Sequence, residues 1–212
     1  MHSRNGPLAR NPNNLVVTYT HDTGGNVVTV SDNKVPTNIY ASQIAYNASG
    51  KITSMVKGNV LTTYTYNAAN ARLQDMVTGN LQDLSYTYNT AGYITAISDN
   101  IDPNWDQTFV YDDFYRLTSA QATAYGNLTY TYNQIGNMLT NSGLGNYAYP
   151  NPGSAHPHAA TSAGSYGYEY DNNGNMTRVT YNGQTDKTIT WTYDNKPSSI
   201  NSTSFTYDYA GK

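Results

Sequence analysis

The chain has 212 residues, 11 basic and 14 acidic, with a net charge of −3. No basic stripe is present for a phosphate backbone, which argues against nucleic acid as a partner. No run approaches the ~18 apolar residues of a membrane-spanning helix, and the first residues lack the apolar stretch of a secretory signal.

Charged residues make up 12% and hydrophobic residues 38%, both low for a globular chain. Tyrosine is the outlier, at 22 residues against 3 Phe and 2 Trp, a composition that suggests sheets with moderately wet faces. Tyrosine favours strands and offers an apolar ring with a polar tip. Cysteine is absent, which excludes disulfides, thiol nucleophiles and cysteine metal sites.

In chain order, residues 1–14 read as a disordered tail or a truncated repeat. From residue 15 a pattern recurs: aromatic-x-Tyr-Asp/Asn-x-x-Gly-x-apolar. It opens weakly at Tyr19-Thr20-His21-Asp22 and at Tyr46-Asn47-Ala48-Ser49-Gly50. Tyr64-Thr65-Tyr66-Asn67 follows, with Asn70 at the glycine position and one extra residue. The clearest copy is Tyr86-Thr87-Tyr88-Asn89-Thr90-Ala91-Gly92-Tyr93-Ile94. Phe109-Val110-Tyr111-Asp112 places Tyr115 where glycine is expected, and Tyr130-Thr131-Tyr132-Asn133 returns to Gly136.

Residues 141–166 form a loop-rich insertion with one short strand, carrying Pro150, Pro152, His156, Pro157 and His158. Repeats resume over 167–212: Tyr168-Glu169-Tyr170-Asp171 with Gly174, Trp191-Thr192-Tyr193-Asp194 with a shortened turn at 195–197, and Phe205-Thr206-Tyr207-Asp208. The second aromatic falls at 21, 46, 66, 88, 111, 132, 170, 193 and 207, mostly in steps of about 20–25 residues. Such self-similarity is the mark of a repeat array.

Each copy predicts a β-hairpin. Tyr-x-Tyr sets two rings on one face of a strand. The Asp or Asn opens a turn, and the glycine three residues on supplies a left-handed backbone. A type I turn closed by a glycine bulge has this signature. Asn70 is tolerable at the left-handed position, whereas Tyr115 is not, so a different turn is expected at 112–116. Ile94 and Ile97 break strict alternation, which leaves open a bulge or two half-buried faces. The last copy stops within its turn, the mark expected of a piece of a longer array.

Candidate chemistry is sparse. His156-x-His158 lacks an adjoining acidic cluster and reads as loop histidines, not a metal pair. Asp22, Asp171 and Asp194 recur beside turns but bring too few carboxylates for a calcium cage, so a turn-capping role fits them better. Nucleotide fingerprints and nucleophile elbows are missing, and Glu169 is the sole glutamate. No cofactor is expected. Tyrosines spaced with the repeat read as packing between hairpins ahead of stacking on sugars.

The copies Tyr-Glu-Tyr-Asp-Asn-Asn-Gly-Asn-Met-Thr (168–177) and Tyr-Thr-Tyr-Asn (86–89), with Pro157-His158-Ala159, resemble the YD repeats of the Rhs family over roughly residues 15–212. The resemblance implies an all-β fold of tandem hairpins in a continuous curved sheet, part of a shell enclosing a C-terminal toxin or effector segment. It also implies a secreted or cell-surface protein, non-enzymatic in this part. Its partners would be neighbouring repeats and the enclosed segment. The family's adhesion proteins leave a second reading open, a cell-surface adhesion or carbohydrate-binding module. The Asp-Pro-x-Gly motif that ends bacterial Rhs cores does not occur here, since Asp102-Pro103 runs into Asn104-Trp105. Neither self-cleavage nor a toxin is assigned to this chain.

Overall fold

The computed structural model describes residues 15–34 and 36–208. The expected tail (1–14) and the unfinished last turn (209–212) lie outside them. The described residues hold nineteen strands and one short 3-10 turn (Pro103–Trp105). The chain divides into two compact units, one running to Phe109 with Ala122–Ala124, the other comprising Val110–Gln121 and the chain from Tyr125.

In the first unit, β1 (Val17–His21), β2 (Val27–Asp32), β3 (Ile39–Tyr46), β4 (Ile52–Lys57), β5 (Val60–Tyr66), β6 (Leu73–Thr78), β7 (Gln82–Tyr88) and β8 (Ile94–Asp99) pair antiparallel in chain order. β9 (Gln107–Tyr111) pairs with β8 through Thr108 and Gln107. Past β10 (Leu117–Ala122), the second unit continues the same way. Its strands are β11 (Gly126–Tyr132), β12 (Met138–Asn141), β13 (Gly145–Ala148), β14 (Ser162–Ala163), β15 (Tyr166–Tyr170), β16 (Met176–Tyr181), β17 (Gln184–Trp191), β18 (Pro197–Ile200) and β19 (Thr203–Ser204). From β11 to β19 each pairs antiparallel with the next.

The burial pattern follows from the alternation. On β5, Val60, Thr62, Tyr64 and Tyr66 are shielded, while Leu61, Thr63 and Thr65 are exposed. β11 repeats this with Leu128, Tyr130 and Tyr132 against Asn127, Thr129 and Thr131. Among the described residues, Ile44, Ala120, Ala122, Ala163 and Val179 are the buried apolar side chains. So short a list means that partly covered tyrosine and aliphatic rows, not a sealed core, supply the hydrophobic stabilisation.

A bulge settles the parity of the return strands. Tyr86 opposes Ile97, Thr87 opposes Ala96, and the register then slips so that Tyr88 opposes Ile94. One extra residue on β8 returns Ile94 and Ile97 to the tyrosine face. The slip recurs just before His21, Tyr46, Tyr66, Tyr132, Tyr170 and Trp191.

Three turn expectations need correction. At 112–116 the turn is the ordinary one: Asp112 N–H donates to Arg116 O at 3.0 Å and Tyr115 N–H to Asp112 O at 2.9 Å. Tyr115 adopts φ 61°. The Asp112 carboxylate holds the turn, accepting from the Phe114 and Arg116 amides at 2.9 Å each and from the Arg116 guanidinium at 2.7–2.8 Å. These bonds, the Arg116 side chain's first, keep the Asp112 carboxyl below its usual range. In the Asn67 turn the extra residue moves the left-handed position from Asn70 to Ala71, at φ 56°. Ala71 N–H donates to Asn67 O, and Asn67 N–H to Arg72 O.

The third correction shifts a register. Trp191 opposes Pro197 after the bulge, the place that Tyr88 and Tyr170 take elsewhere. Thr192 N–H donates to Lys196 O, Asn195 N–H to Thr192 O, and Asn195 has φ 57°. The turn is full length, with Thr192 as the opening residue and Asn195 as the left-handed one. Tyr193 and Asp194, read as the signature pair, sit inside the turn, and Tyr193 is 93% exposed. The motif string misled because Tyr-Asp occurs two residues late in this copy.

A left-handed backbone costs a β-carbon-bearing residue about 1–2 kcal/mol. Tyr115→Gly is therefore expected to stabilise the protein by roughly 1 kcal/mol, read as a raised urea midpoint at unchanged slope.

Candidate functional site: the stitched row of hairpin turns

At most hairpin openings an Asp or Asn side chain accepts from its own turn. Asp22 Oδ1 takes the amides of Gly24 and Asn26, Asn47 those of Ser49 and Lys51, Asn133 those of Ile135 and Asn137, and Asp171 those of Asn173 and Asn175, all at 2.9–3.1 Å. Asn89 does the same for Gly92 and Tyr93. The carboxylates of Asp22 and Asp171 are drawn below their usual pKa, chiefly by the Asn26 and Asn175 side chains. They are thus committed to backbone and neighbouring amides.

A second set of bonds joins one hairpin to the next. Pairing between successive hairpins stops short of the turns: β4 meets β5 from Ser54 onward and β16 meets β17 from Arg178 onward. The carbonyl two residues nearer the turn would lack an in-sheet partner. In most copies the second aromatic of the following hairpin supplies it. Tyr66 Oη donates to Ile52 O at 2.8 Å, Tyr132 Oη to Leu117 O at 2.9 Å, and Tyr207 Oη to Pro197 O at 2.8 Å. Tyr46 Oη reaches Val27 O at 2.8 Å, and Tyr170 Oη reaches Ala160 O at 2.9 Å. Trp191 performs the same task with Nε1–H, donating to Met176 O at 2.8 Å. Burial raises the pKa of Tyr66, Tyr132 and Tyr170, which keeps these phenols protonated as donors.

A third element was missed by the sequence reading: in several copies the last residue of the turn reaches into the next repeat. Arg116 Nη1 donates to Asn133 O at 2.9 Å and its guanidinium lies 4.8 Å from the Tyr132 ring centroid. Arg72 repeats this on Asn89 O at 3.2 Å and the Tyr88 ring at 5.7 Å. Lys51 donates to Ala71 O and lies 5.1 Å from the Tyr66 ring, and Lys196 lies 5.2 Å from Tyr207. Such cation–π contacts contribute about 0.5–1 kcal/mol each at exposed sites. The available signal was a basic residue directly after the left-handed position, followed by an aromatic about 11–16 residues on.

The segment read as an insertion carries a further hairpin. Tyr147 opposes Ala163 and Ala148 opposes Ser162. Tyr149 lies against the backbone of Met138, the first residue of β12. Tyr147-Ala148-Tyr149 is thus an aromatic-x-Tyr copy, and residues 150–159 replace its short turn. Asn137, buried, anchors this loop: Nδ2 donates to Pro157 O at 2.8 Å and Oδ1 accepts from His158 Nδ1 at 2.6 Å. His156 Nε2 donates to Asn172 O at 3.0 Å. The two histidines therefore bind different neighbouring turns and do not converge.

Of the signature residues, Tyr66, Tyr132, Tyr170 and Tyr207 stitch, Asn67, Asn89, Asp112, Asn133 and Asp171 close turns, and Gly92, Gly136 and Gly174 take φ 98°, 89° and 84°. Tyr86, Tyr130 and Tyr168 fill the tyrosine face.

Sequential hairpins with this bulge, turn and stitch define an all-β array of tandem antiparallel hairpins. No family model matches the chain. It is 29% identical over 161 residues to "Toxin subunit YenC1" of Yersinia entomophaga, covering 66% of this chain and 15% of that protein. Its fold is that of solved toxin-complex structures. TcdB2-TccC3 with Cdc42 matches 87% of this chain at TM-score 0.63 and 16% identity, over 12% of that chain. The Photorhabdus luminescens Tc holotoxin pore matches 89% at TM-score 0.63 and 17% identity, again over 12% of that chain. The chain therefore spans a small fraction of the length of the proteins it matches.

The register shift gives a sharp test. Trp191→Ala is expected to cost about 2–3 kcal/mol by loss of packing and of a donor. Tyr193→Ala should stay within about 0.5 kcal/mol, although tyrosine matches the signature. Equilibrium denaturation of the two variants reads the difference.

Proposed function

We propose that this chain is a non-enzymatic wall segment of a YD-repeat shell that encloses a toxin or effector polypeptide. The observation that carries the reading is the inter-hairpin stitch, because it extends a sheet indefinitely without a sealed core. Each hairpin presents to the next a strand edge, a free carbonyl and a reaching side chain, so hairpins add in register as units of a wall. Such repeats depend on their neighbours, which makes adjoining YD repeats the first partner and the enclosed segment the second. The likeness to toxin-complex subunits supports the same role, and with it release from a bacterial cell. The titratable groups favour it too: the carboxylates of Asp22 and Asp171 are committed to turn amides, and Tyr46, Tyr66, Tyr132, Tyr170 and Tyr207 act as structural donors.

The test is a chimera. Residues 15–208 replace the matching stretch of a toxin-complex shell subunit that retains its C-terminal segment. The expected product is soluble and monodisperse, and its C-terminal segment resists added protease. A folded chimera whose C-terminal segment is cleaved as fast as the free peptide contradicts the proposal. So does a chimera that fails to fold while residues 15–208 fold alone.

A further inference from the structure

Of the three arginines among the described residues, two hold a carboxylate. Arg116 gives Nε and Nη2 to Asp112 Oδ2 at 2.8 and 2.7 Å, and Arg178 gives Nη1 to Glu169 Oε1 at 3.0 Å. Arg72 takes the place of Arg116 in its own repeat: Nη1 donates to Asn89 O and the guanidinium lies over the Tyr88 ring. Its turn brings no acid. Asn67 stands where Asp112 stands, and its Oδ1 is spent on the amides of Ala69 and Asn70, so its side chain has N–H groups left to offer. Nε and Nη2 of Arg72 have no partner among the described residues.

Arg72 lines a cavity of about 550 Å³ with Asn67, Asn70, Gln74, Tyr86 and Tyr88 among others, and it is the one charged residue of that lining. The two tyrosines add to the excess of donors. Tyr88 occupies the stitching position, where Tyr46, Tyr66, Tyr132, Tyr170 and Tyr207 each donate to a carbonyl. The hydroxyls of Tyr86 and Tyr88 have no hydrogen-bond partner among the described residues. Burial raises the pKa of Tyr86, which keeps that phenol a donor. A guanidinium edge with two parallel N–H groups matches a carboxylate in bidentate geometry. Beside two hydroxyls and with no acid in the lining, it fits an anion better than a neutral group. The volume is that of an ordinary small-ligand cleft.

We propose that this cavity binds a carboxylate-bearing ligand, held by Nε and Nη2 of Arg72 with a tyrosine hydroxyl as a further donor. Carboxylate is the chosen chemistry because both other arginines take one. The net charge of −3 disfavours loose attraction of anions to the chain as a whole, so such binding is a property of the cleft. The proposal stands apart from the shell reading, since the site is built within two successive hairpins, β5–β6 and β7–β8.

The experiment titrates the 212-residue protein with N-acetylglutamate amide, with its neutral glutamine counterpart, and with an acetylated hexaglutamate peptide. The Arg72 Nε–H and Tyr88 ring resonances report binding. The acids are expected to shift them and the glutamine compound to leave them in place. Hexaglutamate binding more tightly than its number of carboxylates accounts for assigns the site to a polypeptide. Equal affinity per carboxylate, or binding of the small acid alone, assigns it to a free acid. Asn67→Asp should weaken the acids about tenfold or more, because it sets a carboxylate beside Arg72 as Asp112 stands beside Arg116. Aspartate opens the turns at Asp22, Asp112 and Asp171, so the fold accepts it. Arg72→Lys, which keeps the charge and loses the fork, should weaken them as well. No shift at Arg72 with millimolar acid, equal binding of the glutamate and glutamine compounds, or unchanged affinity in either variant would each overturn the assignment.

Discussion

A two-stranded hairpin in water buries too little apolar surface to persist by itself. Everything here depends on what joins each hairpin to the next, and the critical place is the turn end. There the strands of neighbouring hairpins stop pairing and a backbone carbonyl is left without an in-sheet donor. The hydroxyl of the second tyrosine meets that carbonyl. This explains why the chain uses tyrosine and so little phenylalanine: the ring packs, but the oxygen joins. Trp191 supports the argument, because an indole N–H is the one other large aromatic donor and it reaches the equivalent carbonyl of Met176.

The remaining features serve this bond. The bulge before the second aromatic sets the residue after it on the ring face. The Asp or Asn closes the turn so tightly that even Tyr115 is held in a left-handed conformation. The reaching cation lies across the same ring whose hydroxyl makes the stitch, so Arg116 and Tyr132 fix one another from opposite ends. Each bond is modest, about 1 kcal/mol net. Repetition makes the sum large enough to do without a core.

Much of this was legible in the chain. The hairpins, their turns and the tyrosine face follow from Tyr-x-Tyr-Asp/Asn-x-x-Gly, and the fold class with them. What escaped were features whose partners lie one repeat away. The stitch joins Tyr66 to Ile52 and the clamp joins Arg72 to Asn89, and local propensity has no term for either. The register of Trp191 was hidden because a neighbouring Tyr-Asp imitated the motif. The hairpin at Tyr147-Ala148-Tyr149 was hidden because Pro150 stands where Asp or Asn was sought. The Tyr115 turn was misjudged because a residue's cost was weighed without the Asp112–Arg116 pair that offsets it.

The central claim is that the tyrosine hydroxyl couples two hairpins and does not merely stabilise its own strand. Amide hydrogen exchange of Tyr132→Phe tests it most directly, since the ring stays and the donor goes. The account predicts faster exchange both in β11 and in the 112–117 segment whose Leu117 carbonyl loses its partner. Unchanged exchange at 112–117, with any effect confined to β11, would contradict it.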